Sequence, residues 1–290
     1  MNSNNRCSVN KQTAQIKKVL EKLYARYNHR HLIKPDPLQF VYQYSNPKDM
    51  EIAGFLASAL AYGRVQQIQK SVTGLLKLMG NKPFNFIRNF DNEKRDKIKG
   101  FRHRFTTGDD ISNLLDLLRG VLIEFGSIEK FFVQGYNPND KNVIAALSKF
   151  CDSLLNRYAE THGGNIPKGL SYLLVRPTSG STCKRLNLFL RWMVRKDDVD
   201  SGLWKSIDKS KLVVPIDVHM NRLCRILGFH NRKIASLSTA IQITESFADI
   251  EPSDPVRYDF ALSRIGILEN CNGNFRPECK DCELIGFCVR

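Results

Sequence analysis

Four cysteines lie close together at the end of the chain, in a pattern that suits a metal centre. Cys271, Cys279, Cys282 and Cys288 are spaced C-x7-C-x2-C-x5-C, whereas the other four cysteines are scattered. Thiolates at such spacing can enclose one metal centre, and clustered cysteines in a chain without a secretory signal indicate metal rather than disulfides. Zinc and an iron–sulfur cluster both accept four cysteines, so the spacing alone does not decide between them.

A lysine and an aspartate are each predicted at the beginning of a helix. Lys184 follows a Ser-Gly-Ser turn and lies in the first turn of an amphipathic segment. Asp217, in the segment Pro-Ile-Asp-Val-His-Met, is predicted to cap the next helix through a backbone N–H. Structural roles stay open beside chemical ones: Asp217 as a plain N-cap, and Lys184 as a surface lysine that contacts phosphate. His219 is expected to be structural.

These segments resemble those of the helix-hairpin-helix, Gly/Pro-loop, Asp superfamily of DNA glycosylases, which includes endonuclease III. Lys-Arg-Leu-Asn-Leu-Phe-Leu is similar to a K-x-x-N-x-x-L run of endonuclease III, and Pro-Ile-Asp-Val-His-Met is close to the superfamily's Asp segment. The cysteine tail differs from that of endonuclease III by one residue in the first gap. In the turn, Gly180 matches the superfamily hairpin, but Thr182 stands where the second glycine is usual. The interval from Lys184 to Asp217 is also longer than in the superfamily.

The resemblance implies an all-α, two-lobed helix-hairpin-helix glycosylase fold, with a [4Fe-4S] cluster on the four cysteines and zinc as the alternative. It implies removal of a damaged or mispaired base from double-stranded DNA, with Asp217 as the catalytic carboxylate. Lys184 would add abasic-site lyase activity through a Schiff base. A monofunctional enzyme, in which Asp217 activates water, stays open, as do the lesion and RNA as a substrate. The rival function is a non-catalytic DNA- or RNA-binding protein on the same scaffold.

The residues expected to contact DNA lie in the hairpin and in an earlier helical segment. The turn can offer backbone amides to phosphate without reading sequence. The segment from Ser58 to Arg64 resembles the part of endonuclease III that fills the gap left by a flipped base, although Leu60 has the alternative role of a core residue. The predicted DNA contacts are Leu60, Tyr62, Arg64, Arg176, Gly180, Ser181, Thr182 and Arg185.

The elements that must position these residues are predicted to be helices. Apolar residues recur at helical spacing over 13–27, 49–61, 109–125, 142–158, 233–247 and 254–268, with Asp109 or Asp110 capping the helix at 109–125. Strand signals are nearly absent, which predicts an all-α fold. We expect an N-terminal tail and helix (1–45) packed with the C-terminal lobe, a helical core with the hairpin (46–215), and C-terminal helices with the cluster loop (216–290). The region 80–167, which includes the basic segment Arg102-His-Arg-Phe105, has no specific match to the superfamily.

The composition favours a nucleic-acid partner. Among 290 residues, Lys and Arg number 44 against 29 acidic residues, and the net charge of +15 suits a polyanion. A basic, solvated surface without such a partner is the alternative. No apolar run approaches the length of a membrane span, and the polar N-terminus lacks a signal-peptide core. We therefore expect a cytoplasmic monomer without a membrane partner.

Overall fold

The computed structural model describes residues 3–268, Cys271 and residues 274–288, and in these residues the regular secondary structure is almost entirely helical. The predicted all-α class is therefore confirmed. Short 3₁₀ helices at Arg30–Leu32, Pro37–Gln43, Val133–Gly135, Pro177–Ser179, Lys209–Lys211, Pro277–Asp281 and Ile285–Phe287 link or follow the α-helices. The α-helices are α1 Ser3–Tyr27, α2 Pro47–Ala59, α3 Val65–Met79, α4 Pro83–Arg88, α5 Asn92–Ile98, α6 Gly108–Glu124, α7 Ile128–Phe132, α8 Ile144–Thr161, α9 Lys168–Leu173, α10 Lys184–Val194, α11 Val218–Ile226, α12 Leu237–Ile250 and α13 Asp259–Leu268.

A small β-hairpin, which the sequence did not predict, interrupts the helices before α6. Strand β1 (Arg102–His103) pairs antiparallel with β2 (Thr106–Thr107). At the turn between them Arg104 has a φ of 54°, in the left-handed region that non-glycine residues rarely adopt. Two-residue strands are too short to show an alternating apolar pattern, so periodicity could not reveal them.

The beginning of α6 corrects one predicted cap. The Thr107 side chain accepts a hydrogen bond from Asp110 N at 3.3 Å, and the Asp110 carboxylate accepts one from Thr107 N at 2.8 Å. This reciprocal pair is a capping box, in which the acidic residue is the partner of the cap. The prediction that Asp109 or Asp110 is itself the cap is therefore wrong, because a threonine just upstream takes that position.

The N-terminal helix α1 packs against the C-terminal helices α12 and α13. The Glu21 carboxylate accepts two hydrogen bonds from Arg257, at 3.0 and 2.9 Å, and one from the Tyr258 hydroxyl at 2.6 Å. One hydrophobic core cluster extends from Ile16 to Leu284. The two-lobed arrangement and its domain boundaries stay predictions. No helix in the described part of the chain is long and apolar enough to cross a bilayer.

The long interval between α10 and α11 is anchored in the core. Arg195, just after α10, places its guanidinium 3.0 Å from Asp200 Oδ2 and 2.9 Å from Asp254 Oδ2, and all three residues are buried. Further along, Trp204 Nε1 donates a hydrogen bond of 2.8 Å to the buried Glu51 carboxylate. Paired buried charges of this kind hold a loop in place because separating them leaves an uncompensated charge. The interval that lengthens the Lys184–Asp217 spacing is thus part of the packed structure.

Candidate active site

Lys184 and Asp217 line the same open pocket, which has a volume of about 480 Å³. Its walls come from the start of α3, the starts of α10 and α11, the segment 35–37 and the end of α13. Volumes of about 300–1,000 Å³ are usual for sites that bind small organic groups. The lining residues are Pro35, Asp36, Pro37, Ala61, Tyr62, Gly63, Val65, Ile68, Lys184, Ile216, Asp217, Val218, His219, Arg264 and Ile267.

Asp217 is the N-cap of α11, as its sequence context predicts. Its Oδ1 accepts a hydrogen bond of 2.9 Å from Met220 N, and its backbone is extended. This cap satisfies one of the amides that would otherwise remain unpaired at the helix start and fixes the direction of the carboxylate. The neighbouring His219 is exposed at the pocket rim, and its Cβ lies 3.3 Å from where a Cβ on Gly266 would stand. The side chain of His219 therefore packs closely on α13.

Lys184 begins α10, directly after a residue in a left-handed conformation. That residue, Cys183, has a φ of 48° and turns the chain into the helix. The Lys184 ammonium lies 3.4 Å from the carbonyl oxygen of Ala61, a long hydrogen bond that leaves the amine at the pocket wall. The buried Asp259 is an ion-pair partner of Arg191 and lies within electrostatic range of both pocket residues. Burial raises the pKa of Asp259, and the nearby charges of Asp217 and Lys184 act on it in opposite directions.

The turn that precedes α10 has the geometry of a tight hairpin, with one difference from the superfamily pattern. Gly180 has a φ of 78°, which a glycine adopts without strain. The second positive φ falls on Cys183, one residue after Thr182, and the Cys183 amide donates a hydrogen bond to Ser181 Oγ at 3.2 Å. Gly180 is exposed, and Ser181 and Thr182 are partly exposed. A ligand can therefore reach all three predicted hairpin residues.

Two of the predicted DNA contacts are buried instead. Leu60 is fully buried and belongs to the core. Arg185 is only 7% exposed, and its guanidinium donates hydrogen bonds to the carbonyl oxygens of Ala59, at 2.7 Å, and Tyr172. The sequence could not separate an inward from an outward arginine, because this depends on carbonyl groups that two distant helices leave unpaired at their ends. Burial also lowers the pKa of Arg185. We correct both assignments to structural roles.

The other predicted DNA contacts reach the surface. Tyr62 is partly buried in the pocket wall, and Arg64 is exposed at the start of α3. Arg176 is 39% exposed, and its Nε lies 2.8 Å from Asp152 Oδ1. An ion pair with this much exposure is weak, so it leaves Arg176 able to exchange partners with a phosphate.

The four cysteines follow α13 in a short run of turns. Cys271 and Cys282 pack against the hydrophobic core, and Cys279 Sγ accepts a hydrogen bond of 3.4 Å from Arg276 N. All four cysteines are partly buried. Four sulfur ligands are the donor set that a zinc ion or an iron–sulfur cluster requires. In the described residues no three Cys, His, Asp or Glu side chains are gathered closely enough to hold a metal ion. The side chains of these four cysteines therefore fit a metal centre by the chemistry of their donor atoms.

A family model described as "Protein of unknown function (DUF2400)" matches residues 36–268. The chain belongs to the DUF2400 family. No curated protein and no solved structure matches it. The matched range contains almost the whole wall of the pocket, from Asp36 to Ile267, and ends before the four cysteines. Membership of the family therefore concerns the helical part that carries the pocket, and it does not bear on the metal.

Two charged residues in the pocket wall of this DUF2400 protein had no predicted role. Arg264 is 1% exposed, and its Nη2 lies 3.3 Å from Asp36 Oδ2. Asp36 in turn caps the 3₁₀ helix that begins at Pro37, through a 3.0 Å hydrogen bond from Leu38 N. The position of Asp36 between two prolines was a turn signal, but nothing local indicated that an arginine 228 residues away would pair with it. Together they connect the segment before α2 to α13.

Proposed function

We propose that this protein removes a damaged or mispaired base from double-stranded DNA, with Lys184 and Asp217 as its catalytic residues. The observation that carries the proposal is that the amine and the carboxylate line one open pocket, each at the start of a different helix. A base turned out of the duplex needs such a recess, since chemistry at its glycosylic bond cannot take place inside the stack. The resemblance to helix-hairpin-helix glycosylases and the net charge of +15 also support it.

The chemistry follows from the two groups. As the bond between C1′ and the base nitrogen breaks, its electron pair leaves with the base and positive charge develops on the sugar. The Asp217 carboxylate stabilises that charge and accepts a proton from the attacking amine. The Lys184 amine forms the new bond to C1′, and ring opening then gives a Schiff base from which β-elimination cleaves the strand. If Lys184 only positions the substrate, Asp217 activates a water molecule and the strand stays intact.

The test is excision on a panel of duplexes, each with a different damaged or mispaired base. Strand cleavage that appears only after alkali reports base removal, and cleavage without alkali reports lyase activity as well. We expect activity on at least one duplex, and Lys77→Ala, which removes an exposed lysine on α3, should leave it unchanged. Duplex binding without any excision across the panel would instead identify a non-catalytic DNA-binding protein.

We also propose that Cys271, Cys279, Cys282 and Cys288 bind a [4Fe-4S] cluster, with one zinc ion as the alternative. Such a centre would tie together the turns after α13 and stabilise the C-terminal segment. The catalytic proposal does not depend on it. Protein purified without oxygen should contain about four irons per chain and absorb broadly in the visible range, and Cys279→Ser should lower the iron content. One zinc per chain and no iron would overturn the cluster assignment.

A further inference from the structure

The tip of the β-hairpin carries an exposed phenylalanine that packs against other aromatic rings. Phe105 is 56% exposed. Its ring stacks on Tyr62, with 5.3 Å between centroids and 26° between planes, and meets Tyr172 edge-on at 4.8 Å. An ordinary apolar side chain on the surface is not held in one orientation. Phe105 differs, because contacts with neighbouring rings keep it in an exposed position. We call Phe105, Tyr62 and Tyr172 the aromatic platform.

Hydrogen bonds fix the hairpin under this platform. The Tyr62 hydroxyl donates to the carbonyl oxygen of His103 at 3.0 Å and lies 2.6 Å from Thr106 Oγ1. His103 is fully buried, with Nδ1 2.9 Å from Ser71 Oγ and Nε2 3.0 Å from Tyr62 O. Both strands of the hairpin are therefore tied to Tyr62 and α3. The hairpin that carries Phe105 is therefore already ordered, so stacking of a ligand on Phe105 does not carry the entropic cost of ordering the loop.

Beneath the platform, the buried Arg185 joins the two tyrosines. Its guanidinium carbon lies 4.3 Å from the ring centre of Tyr172 and 5.2 Å from that of Tyr62. Cation–π contacts of this kind are strengthened when the cation is shielded from water. The arginine predicted from sequence to bind phosphate thus supports the aromatic rings that stand beside the pocket.

The platform adjoins the pocket through Tyr62 and is flanked by positive charge. Tyr62 and Gly63 line the pocket, and the Arg104 side chain crosses Gly63 so closely that a Cβ there would lie 2.8 Å from Arg104 Cδ. Gly63 also has a φ of 95°. The Arg104 guanidinium lies 5.6 Å from the centre of the Phe105 ring, and Arg102 and Arg104 are both exposed. Exposed aromatic rings between cations are the combination that stacks nucleobases and neutralises phosphates.

We infer that Phe105 stacks against a base of the bound DNA next to the nucleotide that enters the pocket, while Arg102 and Arg104 meet the adjacent phosphates. This rests on the proposed function, because it takes DNA as the ligand of the pocket. Phe105 is a positioning residue, since it does not touch the reacting atoms. It occupies the wedge role that the sequence had suggested for Leu60, which is buried. The hairpin lies in the region 80–167, so this chain supplies the wedge from a segment without a match to the superfamily.

The test is equilibrium binding to a duplex that holds a tetrahydrofuran abasic-site analogue beside a 2-aminopurine. Phe105→Ala should weaken binding about 5- to 150-fold, the range that base–aromatic stacking gives per base, and should leave the salt dependence unchanged. The matched control is Ile123→Ala, which removes an apolar side chain of 58% exposure on α6 and should have no effect. Melting curves should show that both variants fold, because neither side chain is buried.

A second variant reports the stacking directly. The two native tryptophans, Trp192 and Trp204, are buried, so Phe105→Trp places a third, exposed indole at the platform. Its emission should be quenched when the duplex binds, and the 2-aminopurine emission should change with it. Wild-type affinity in Phe105→Ala, or an unquenched indole in a bound Phe105→Trp complex, overturns the inference and leaves the excision test untouched. If the wild type binds the duplex through Phe105 but excises no base, the inference stands and the proposed enzyme activity fails. If the wild type binds no duplex, both fall.

Discussion

Arg185→Met tests whether the aromatic platform depends on a buried cation. The substitution keeps most of the apolar volume but leaves the carbonyl oxygens of Ala59 and Tyr172 without their hydrogen-bond donor. An orphaned buried acceptor costs about 1–3 kcal/mol, so the two together cost about 2–6 kcal/mol. Loss of two cation–π contacts adds to this, and release of the buried charge subtracts from it. We expect a net loss of about 3 kcal/mol in the free energy of unfolding, or roughly 6–12 °C in melting temperature.

The same variant separates the structural role of Arg185 from a phosphate contact. If Arg185 is structural, the slope of log affinity for DNA against log salt should stay the same, even if the affinity itself changes. Arg64→Ala is the matched control, because Arg64 is exposed beside the pocket. It should melt like the wild type and reduce the slope by about 0.9 if it neutralises one phosphate. An Arg185→Met protein with unchanged melting and a slope reduced by about 0.9 would refute the buried role.

Three further predictions follow from local geometry. Gly169→Ala should lower the melting temperature, because the added Cβ would lie 2.0 Å from an Asp110 carboxylate oxygen. The control is Gly120→Ala, whose added Cβ would meet open space; it should instead stabilise α6 by up to about 1 kcal/mol. Burial raises the pKa of Asp197, but the charge of Arg195 and the hydrogen bonds from Asp200 N, the Tyr24 hydroxyl and Val199 N together outweigh burial and lower the pKa from 3.8 to about 2. Because the pKa is lower in the folded state, the ionised carboxylate stabilises the fold fully above about pH 4. Asp197→Asn should therefore lower the free energy of unfolding by about 2 kcal/mol at pH 7, measured by urea titration. The difference from the wild type should vanish as the pH falls through 2. Asp217→Asn should melt normally, since asparagine also caps helices, while base excision slows about 10²–10⁴-fold in single-turnover assays.

The sequence could predict what neighbouring residues determine. Asp217 as the cap of α11 and Lys184 at the start of α10 depend on turn and helix-start signals within a few positions. The helical class depends on periodicity that extends over whole segments. These are short-range or repeated signals, and the structure agrees with both kinds.

The orientation of single side chains was not predictable in the same way. Leu60 was predicted to contact DNA from its resemblance to a gap-filling position, and Arg185 from its charge beside the hairpin, but here each is buried. The guanidinium of Arg185 is buried against backbone carbonyl groups of α2 and α9, which come from distant parts of the chain. Phe105 was visible as part of a basic segment, yet only the stacking on Tyr62 gives it a place at the pocket. Tertiary contacts of this kind leave no periodic signal.

Borohydride trapping on a duplex with an abasic site tests the central claim most directly. Borohydride reduces the Schiff base between the Lys184 amine and C1′ to a stable amine, so an active enzyme becomes covalently linked to its DNA. We predict a trapped complex for the wild type and for the control Lys77→Ala, and none for Lys184→Ala, although Lys184→Ala still binds the duplex. A trapped complex of undiminished yield in Lys184→Ala, or none in a wild type that binds the same DNA, would contradict the assignment of Lys184 as the nucleophile.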